Sequence, residues 1–275
     1  MNRVYTIEPV PTSKDEIKHP PLAEEGVIPE LNTSTILVGK SGSGKSVLLH
    51  NLLMRKEFFN KYQYFDKIFL VSPSAECDDI QRGLNLPPSC VFTDLTEGEL
   101  ALEKIEAYQS GQIKKLGSGK AQKFCIVYDD CIGHTKFMNS PVFISSFIKC
   151  RHYNFTVFLC SQHFRKVPKI CRMQASYLCF FAISNNEAEM LAEEFSPPSM
   201  KKDAFLSMVN DTLKEPYSFL IINMRSPWET RFRKGLAEPI NLDAYRGKSV
   251  SHTLSQPIQK AHAPQDLSNT LPKNQ

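Results

Sequence analysis

A glycine-rich segment carries the residues most able to do chemistry in this 275-residue chain. The sequence GKSGSGKS occupies residues 39–46, between the β-branched run STILV and the apolar run VLLHNLL. Gly39, Gly44, Lys45 and Ser46 fit the pattern G-x-x-x-x-G-K-[ST]. In this pattern glycines let the backbone wrap round phosphate oxygens, the lysine neutralises the β and γ phosphates, and the hydroxyl ligates Mg²⁺. The segment predicts a nucleoside triphosphate site formed by Gly39, Lys40, Ser41, Gly42, Ser43, Gly44, Lys45, Ser46 and Val47.

Two adjacent carboxylates follow a second apolar run, KFCIVYDDC at residues 123–131. Asp129 ends this predicted strand about 80 residues after the phosphate loop, which is where an ATPase has its Mg²⁺-binding (Walker B) carboxylate. Asp130 stands where an ATPase needs a base that orients and deprotonates water. Paired aspartates at a strand end also form turns, so a turn is the structural alternative.

A third predicted strand, FTVFLCSQ at residues 155–162, ends in a polar residue. If the chain follows the ATPase pattern with an additional inserted strand, this strand lies between the phosphate-loop strand and the YDD strand. Gln162 would then point at the γ-phosphate as a sensor. A helix-capping or loop amide is the alternative.

A second GSGK occurs at residues 117–120, but its context differs. It precedes a strand, continues with Ala121 where a hydroxyl is needed, and lacks the first glycine at the right offset. We interpret it as a flexible loop that, with Lys114, Lys115 and Lys120, either contacts a polyanion or is simply solvated.

The net charge of +4 is mild, but residues 131–186 contain no Asp or Glu. The basic residues in this acid-free block are Lys136, Lys149, Arg151, Arg165, Lys166, Lys169 and Arg172. The block is either a surface for nucleic acid, with Arg165, Lys166 and Lys169 as contact candidates, or a set of buried strands that carry few charges anyway.

Composition is that of an ordinary globular protein, with 41% hydrophobic and 23% charged residues. No apolar run approaches the roughly 18 residues of a membrane span, and the charged, proline-interrupted N-terminus is unlike a signal peptide, so we expect an intracellular protein without a membrane partner. The eight cysteines indicate reduced thiols. Zinc binding at Cys131 with His134, or Cys160 with His163, is disfavoured because the spacing does not repeat.

Short buried strands alternate with helical patterns along the chain, which predicts an α/β fold with a mostly parallel sheet. With the phosphate loop, this indicates an additional-strand, RecA-like P-loop ATPase built as a three-layer sandwich. We expect an N-terminal strand and lead-in at residues 1–30, the ATPase domain with a C-terminal strand pair at 31–245, and a disordered tail at 246–275.

Other P-loop classes match less well. The chain has no N-K-x-D motif of a GTPase and no L-S-G-G-Q motif of an ABC ATPase. A small-molecule or nucleoside kinase remains an alternative, as does a nucleotide-gated scaffold without turnover. The carboxylate pair and the acid-free block favour ATP hydrolysis coupled to nucleic acid.

Three segments together resemble the genome-packaging ATPases of large DNA viruses, the poxvirus type, in the FtsK and HerA branch of P-loop ATPases. They are ILVGKSGSGKS, CIVYDDC and KCRHYNFTVFLCSQHFRKVPKICRMQASY, and the resemblance covers residues 35–195. Its most specific residues are Arg151, His152, Gln162, Pro168 and Arg172. Many members of the branch have Glu after the Walker B Asp, where this chain has Asp130.

The resemblance implies a pentameric or hexameric ring that threads double-stranded DNA into a preformed capsid with ATP and Mg²⁺. It also implies contact with capsid vertex proteins, action in the host cytoplasm or viral factory, and association with the virion. One subunit would supply an arginine to the neighbour's ATP, a role that we assign first to Arg151 and second to Arg172. A structural salt bridge or a DNA contact is the alternative for both arginines.

Overall fold

The computed structural model describes residues 17–75 and 83–246. Within them, nine strands form one sheet in the order β3-β2-β4-β5-β1-β6-β7-β8-β9. The strands are β1 Ser34–Val38, β2 Lys67–Val71, β3 Val91–Phe92, β4 Phe124–Asp129, β5 Phe155–Ser161, β6 Tyr177–Phe180, β7 Leu220–Asn223, β8 Phe232–Lys234 and β9 Glu238–Pro239. The six strands from β3 to β6 pair in parallel, and β7, β8 and β9 add antiparallel pairs.

Helices connect most of the strands. They are α1 Pro21–Glu24, α2 Lys45–Met54, α3 Leu95–Leu116, α4 Thr135–Met138, α5 Pro141–Ile148, α6 Lys169–Gln174, α7 Asn185–Phe195 and α8 Lys202–Thr212. This arrangement confirms the α/β class and the mostly parallel sheet predicted from the sequence.

The sheet is buried on both faces because side chains alternate along each strand. In β1, Ile36 and Val38 join one apolar cluster and Leu37 joins another. The first cluster contains the apolar side chains of α3 to α8, and the second contains those of α1 and α2. Because both faces are buried, the parallel strands are continuous apolar runs in the amino-acid sequence.

The sheet order also confirms the inserted strand. β5 lies between β1 and β4, with Val38 opposite Ser161 and Asp129 opposite Cys160. The carboxyl ends of these three parallel strands therefore meet at one edge of the sheet, which we call the carboxyl edge.

Local structure differs from the sequence expectation at several places. The apolar residues Val47, Leu48, Leu52 and Phe59 recur at helical spacing and predict a helix through Phe59, but the helix ends at Met54. The run NEAEMLAEEF predicts a helix with Asn185 or Asn186 as its N-cap, but the N-cap of α7 is Ser184, whose hydroxyl accepts from the Glu187 N–H in a capping box.

The second GSGK is not a free loop. Gly117 ends α3 with φ 80°, and the Asn154 side chain accepts from the Ser118 hydroxyl at 2.8 Å and donates to its carbonyl at 2.7 Å. These contacts anchor the turn at Ser118, whereas Gly119 and Lys120 are exposed.

The expected N-terminal strand falls in residues 1–16 and most of the expected disordered tail in 247–275, both outside the described residues. In residues 17–75 and 83–246, no helix is both long enough and apolar enough to cross a membrane.

Candidate nucleotide site

The phosphate loop is fixed between two strands at the carboxyl edge. The Gly39 N–H donates to the Ser161 carbonyl at the end of β5, N···O 3.1 Å, and the Lys40 N–H donates to the Ala182 carbonyl after β6, N···O 3.4 Å. These bonds orient the start of the loop before α2 begins.

Two glycines in the loop are required for different reasons. A Cβ built on Gly39 would lie 2.7 Å from the Phe181 Cβ and 2.7 Å from the Ser43 Oγ, so a side chain does not fit. Gly44, at the N-cap of α2, has φ 104°, which L-residues rarely adopt. Since no side chain caps α2, its first backbone N–H groups are left to an anion.

Lys45 is only 8% exposed and has no carboxylate partner among the described residues. Its Nζ donates to the carbonyls of Gly39 at 2.7 Å and Lys40 at 3.0 Å, across the mouth of the loop. The Ser43 hydroxyl is buried and has no hydrogen-bond partner within the part of the chain that the structure describes. A buried ammonium, an unpaired hydroxyl and an uncapped helix N-terminus fit a bound triphosphate, because each gains a partner from phosphate oxygens.

The two aspartates have different backbone and side-chain environments. Asp129 ends β4 and is half-buried, whereas Asp130 is exposed and has φ 52°, in the left-handed region. The Asp129 Oδ1 accepts from the Asp130 N–H at 3.1 Å. The turn proposed as the structural alternative is therefore present in the backbone, and it leaves the Asp130 carboxylate in solvent at the carboxyl edge.

The strand register relates Asp129 to the phosphate loop. Asp129 lies opposite Cys160, and Cys160 lies opposite Leu37, two residues before Gly39. The backbones of Asp129 and Leu37 are thus two strand spacings apart, about 10 Å. Gln162 is exposed and directly follows Ser161 on the strand between them. All predicted phosphate, metal and sensor residues therefore converge on the carboxyl edge.

Arg151 lies at the other end of the sheet. It is exposed, in the turn Cys150–His152 that precedes β5. The seven residues of β5 span about 20 Å, so Arg151 does not reach the phosphate loop of its own chain.

Arg172 is held inside its own chain. It is 8% exposed, and its guanidinium donates to both Glu194 carboxylate oxygens at 2.7 and 3.3 Å and to the Val167 carbonyl at 2.7 Å. It also lies over the Phe164 ring, 5.2 Å from the centroid. These contacts engage the Arg172 guanidinium within its own chain, so its assignment as an intersubunit arginine stays a prediction and would require the pair with Glu194 to break. The salt-bridge alternative is the one observed.

The basic candidates form two separate groups. Arg165, Lys166 and Lys169 are exposed, in the turn after the carboxyl end of β5 and at the start of α6. Lys114, Lys115 and Lys120 are exposed near the C-terminus of α3, before the amino end of β4. The two groups lie at opposite ends of the parallel strands and do not form one continuous patch within a subunit.

The cysteines are part of the core. Seven cysteines among the described residues are buried, and burial raises the pKa of Cys171 and Cys179 to about 12. Cys131 is buried under β4 and His134 is exposed. Residues 17–75 and 83–246 contain no group of three or more His, Cys, Asp or Glu side chains placed to hold a metal ion.

The parallel sheet with its inserted strand, the glycine loop and the helix that follows it define an α/β protein of the P-loop ATPase fold. Comparison with known proteins narrows this class. The chain belongs to the family described as Poxvirus A32 protein, whose profile matches residues 30–226.

Two relatives with the same name are similar to this chain. The chain is 28% identical over 180 residues to the DNA packaging protein OPG160 of Monkeypox virus, covering 64% of this chain and 56% of that one. For the OPG160 of Vaccinia virus, strain Copenhagen, the identity is again 28%, over 64% and 62% of the two chains. The chain thus spans about 60% of the length of these relatives.

The DNA-packaging ATPase B204 from Sulfolobus turreted icosahedral virus has the same fold. It has a TM-score of 0.54 at 18% identity, over 77% of this chain and 99% of that one. B204 from Sulfolobus turreted icosahedral virus 2 in complex with AMP gives 0.52 at 19% identity, over 76% and 98%.

Proposed function

We propose that this chain hydrolyses ATP and uses the energy to move double-stranded viral DNA into a preformed capsid. One observation carries the proposal: the strand order brings the phosphate loop, Gln162 and the Asp129–Asp130 pair to the same edge of the sheet. Membership of the Poxvirus A32 family and the names of the relatives support the packaging role.

The loop residues from Gly39 to Val47 bind the phosphates, chiefly through backbone N–H groups and Lys45. Ser46, near the start of α2, and Asp129 are the residues that would hold Mg²⁺. When bound, Mg²⁺ neutralises charge on the β and γ phosphate oxygens.

Two exposed side chains act on the attacking water and the terminal phosphate. Asp130 orients a water molecule and takes its proton, and its exposed carboxylate is free to do so. Because Asp is one methylene shorter than Glu, the water lies closer to the β4 backbone than in ATPases that have Glu here. The Gln162 amide N–H donates a hydrogen bond to the γ-phosphate. When hydrolysis removes this phosphate, the bond is lost and the basic turn that follows Gln162 shifts.

We propose further that the subunits form a ring of five or six, with each nucleotide at a subunit boundary. Arg151 then contacts the neighbour's nucleotide, since its exposed guanidinium and its position at the far end of β5 exclude its own site. An arginine stabilises the charge that develops on a transferring phosphoryl group.

DNA contact is assigned to Arg165, Lys166 and Lys169, which begin three residues after Gln162. The Arg172 guanidinium binds the carbonyls of Val167 and, at 3.5 Å, Arg165, so the turn is fixed to α6 and α7. A change in the position of Gln162 therefore moves Arg165, Lys166 and Lys169 through a short segment whose conformation Arg172 stabilises. A motor that accepts any sequence contacts phosphates, and its DNA affinity falls steeply with salt.

We place the protein's action in the host cytoplasm or viral factory, with capsid vertex proteins as further partners. The deciding experiment measures ATP turnover with and without double-stranded DNA, for the wild type, Lys45→Ala and Asp130→Asn. We expect DNA-stimulated turnover that both substitutions abolish. Turnover that ignores DNA but needs a small phosphate acceptor would indicate a kinase, and ATP binding without turnover would indicate a scaffold; either result overturns the proposal.

A further inference from the structure

An exposed aromatic side chain lies against the phosphate loop and has no part in the roles above. Tyr217 is 73% exposed, although it precedes the buried strand β7. A Cβ built on Gly44 would lie 3.7 Å from the Tyr217 Cδ1 and 3.5 Å from the Phe181 Cε1. Two aromatic rings therefore border the loop at the N-terminus of α2.

The backbone of Tyr217 is strained. The Ser218 N–H donates to the Glu215 carbonyl at 3.2 Å, which closes a four-residue turn with Pro216 second and Tyr217 third. Tyr217 has φ 62°, and a turn with proline second and positive φ third is type II, where Gly or Asn is favoured. A bulky residue with positive φ is an outlier, and such strain concentrates at functional sites.

The surrounding contacts hold the turn in this conformation. The Ser218 hydroxyl donates to the Glu215 carbonyl at 2.7 Å, and the Lys234 Nζ on β8 lies 3.6 Å from the Glu215 Oε2. After the turn, the Phe219 ring packs on Phe181 with ring centroids 5.0 Å apart. The turn therefore places the Tyr217 ring beside Gly44, next to the packed rings of Phe181 and Phe219.

The position of Tyr217 along the sheet matches the base end of a nucleotide. The residues assigned to the terminal phosphate, Asp129 and Gln162, follow β4 and β5 on one side of β1. Tyr217 precedes β7, which pairs with β6 on the other side, with Leu220 opposite Phe180. A triphosphate whose γ end lies towards β4 and β5 directs its base towards β6 and β7.

We propose that Tyr217 binds the base of the nucleotide by stacking its ring on the purine. The inference rests on the proposed function only in requiring a nucleoside triphosphate in the phosphate loop. Val47, which is 65% exposed in the first turn of α2, adds an exposed apolar side chain three residues after Gly44. Because every base has a π-face, stacking gives affinity with little discrimination between adenine and guanine.

The test compares ATP with inorganic tripolyphosphate, which has no base, as Mg²⁺ complexes of the full chain. Tyr217→Gly removes the ring and suits the left-handed backbone, whereas Tyr217→Phe keeps the ring. We expect Tyr217→Gly to weaken ATP binding about tenfold with tripolyphosphate binding unchanged and Tm not lowered. Tyr217→Phe should keep near wild-type affinity for both ligands.

A spectroscopic measurement and a control separate the possible outcomes. The triphosphate of 2-aminopurine riboside should lose fluorescence on binding to the wild type and to Tyr217→Phe, but not on binding to Tyr217→Gly. Lys45→Ala should lose both ATP and tripolyphosphate. Equal weakening of both ligands by Tyr217→Gly, or an altered oligomeric state with unchanged ATP affinity, would overturn base stacking. A wild type that binds neither ligand would overturn the nucleotide site itself.

Discussion

The backbone N–H of Gly39 donates to the carbonyl of Ser161, with N···O 3.1 Å. This bond joins the first residue of the phosphate loop to the residue before Gln162. The loop and the polar end of β5 are thereby fixed relative to each other before any ligand binds. A substitution at Gln162 should therefore affect catalysis, whereas one at Gly39 should affect nucleotide binding.

Gln162→Ala should lower DNA-stimulated ATP turnover by about 10- to 100-fold with the dissociation constant for ATP nearly unchanged. The side chain is exposed, and the loop is held by the backbone of Ser161, so the site itself stays intact. Steady-state kinetics and equilibrium binding on the same preparations check this. An unchanged turnover would contradict the assignment of Gln162 and favour a loop amide.

Gly39 and Gly42 should respond differently to substitution by Asn. Gly42 has φ 72° and no atom within 4 Å of a built Cβ, and Asn tolerates such backbone, so Gly42→Asn should retain most ATP affinity. Gly39→Asn should lose ATP binding, because its Cβ would lie 2.7 Å from the Phe181 Cβ. Titration calorimetry with Mg²⁺-ATP gives the comparison, and equal losses in both variants would contradict it.

Arg172→Ala should destabilise the protein by about 3 kcal/mol, because it leaves Glu194 partly buried without its partner. Arg172→Lys should not restore stability, since an ammonium cannot make the paired contacts with both carboxylate oxygens. Denaturant unfolding measures both variants.

The neighbouring pair supplies the control for Arg172. Lys202 and Glu193 are 2.9 Å apart but exposed, so Lys202→Ala should leave the free energy of unfolding nearly unchanged. If Arg172→Ala also left the free energy of unfolding unchanged but abolished ATP turnover, that result would support the intersubunit role of Arg172.

Arg151 should act on a different subunit from the one that supplies Lys45. Arg151→Ala and Lys45→Ala should each abolish turnover alone, and mixing the two subunit types should restore part of it, because some boundaries then combine an intact loop with an intact arginine. Turnover as a function of mixing ratio measures this. No recovery in assembled mixed rings would exclude the role in trans.

Glu106 should make stability depend on pH. Burial raises the pKa of its carboxyl and the Glu103 carboxylate adds to this rise, whereas the Ser145 hydroxyl and Lys149 oppose it. Its Oε1 is buried and has no hydrogen-bond partner among the described residues. The folded state then binds the proton more tightly than the unfolded state, so the stability linked to this proton is present at low pH. It is lost as pH rises from the unfolded pKa, about 4.3, through the raised folded value.

Glu106→Gln should remove this dependence and raise Tm at neutral pH, while Glu97→Gln, at an exposed position on the same helix, serves as the control. Thermal melts between pH 4 and 8 check the sign. A stability that rose with pH only in the wild type would contradict it.

Local patterns in the amino-acid sequence are sufficient to predict the α/β class, the phosphate loop, the carboxylate pair and the strand that Gln162 follows. These are local patterns: apolar runs of strand length, glycines at fixed offsets and polar residues at strand ends. Family membership, suggested by the same segments, is established by the profile match over residues 30–226.

Which of the candidate side chains are exposed, and which are held by partners in the same chain, depends on the tertiary structure. Arg151 and Arg172 look alike in the sequence, yet one is exposed at the far end of β5 and the other is bound to Glu194, 22 residues further along the chain. The two basic groups separate to opposite ends of the sheet because strand direction, not sequence distance, sets their positions. Tyr217 carried no sequence signal, since only the pairing of β7 with β6 brings it against Gly44. Long-range pairing of this kind depends on contacts between distant segments, which local residue patterns do not encode.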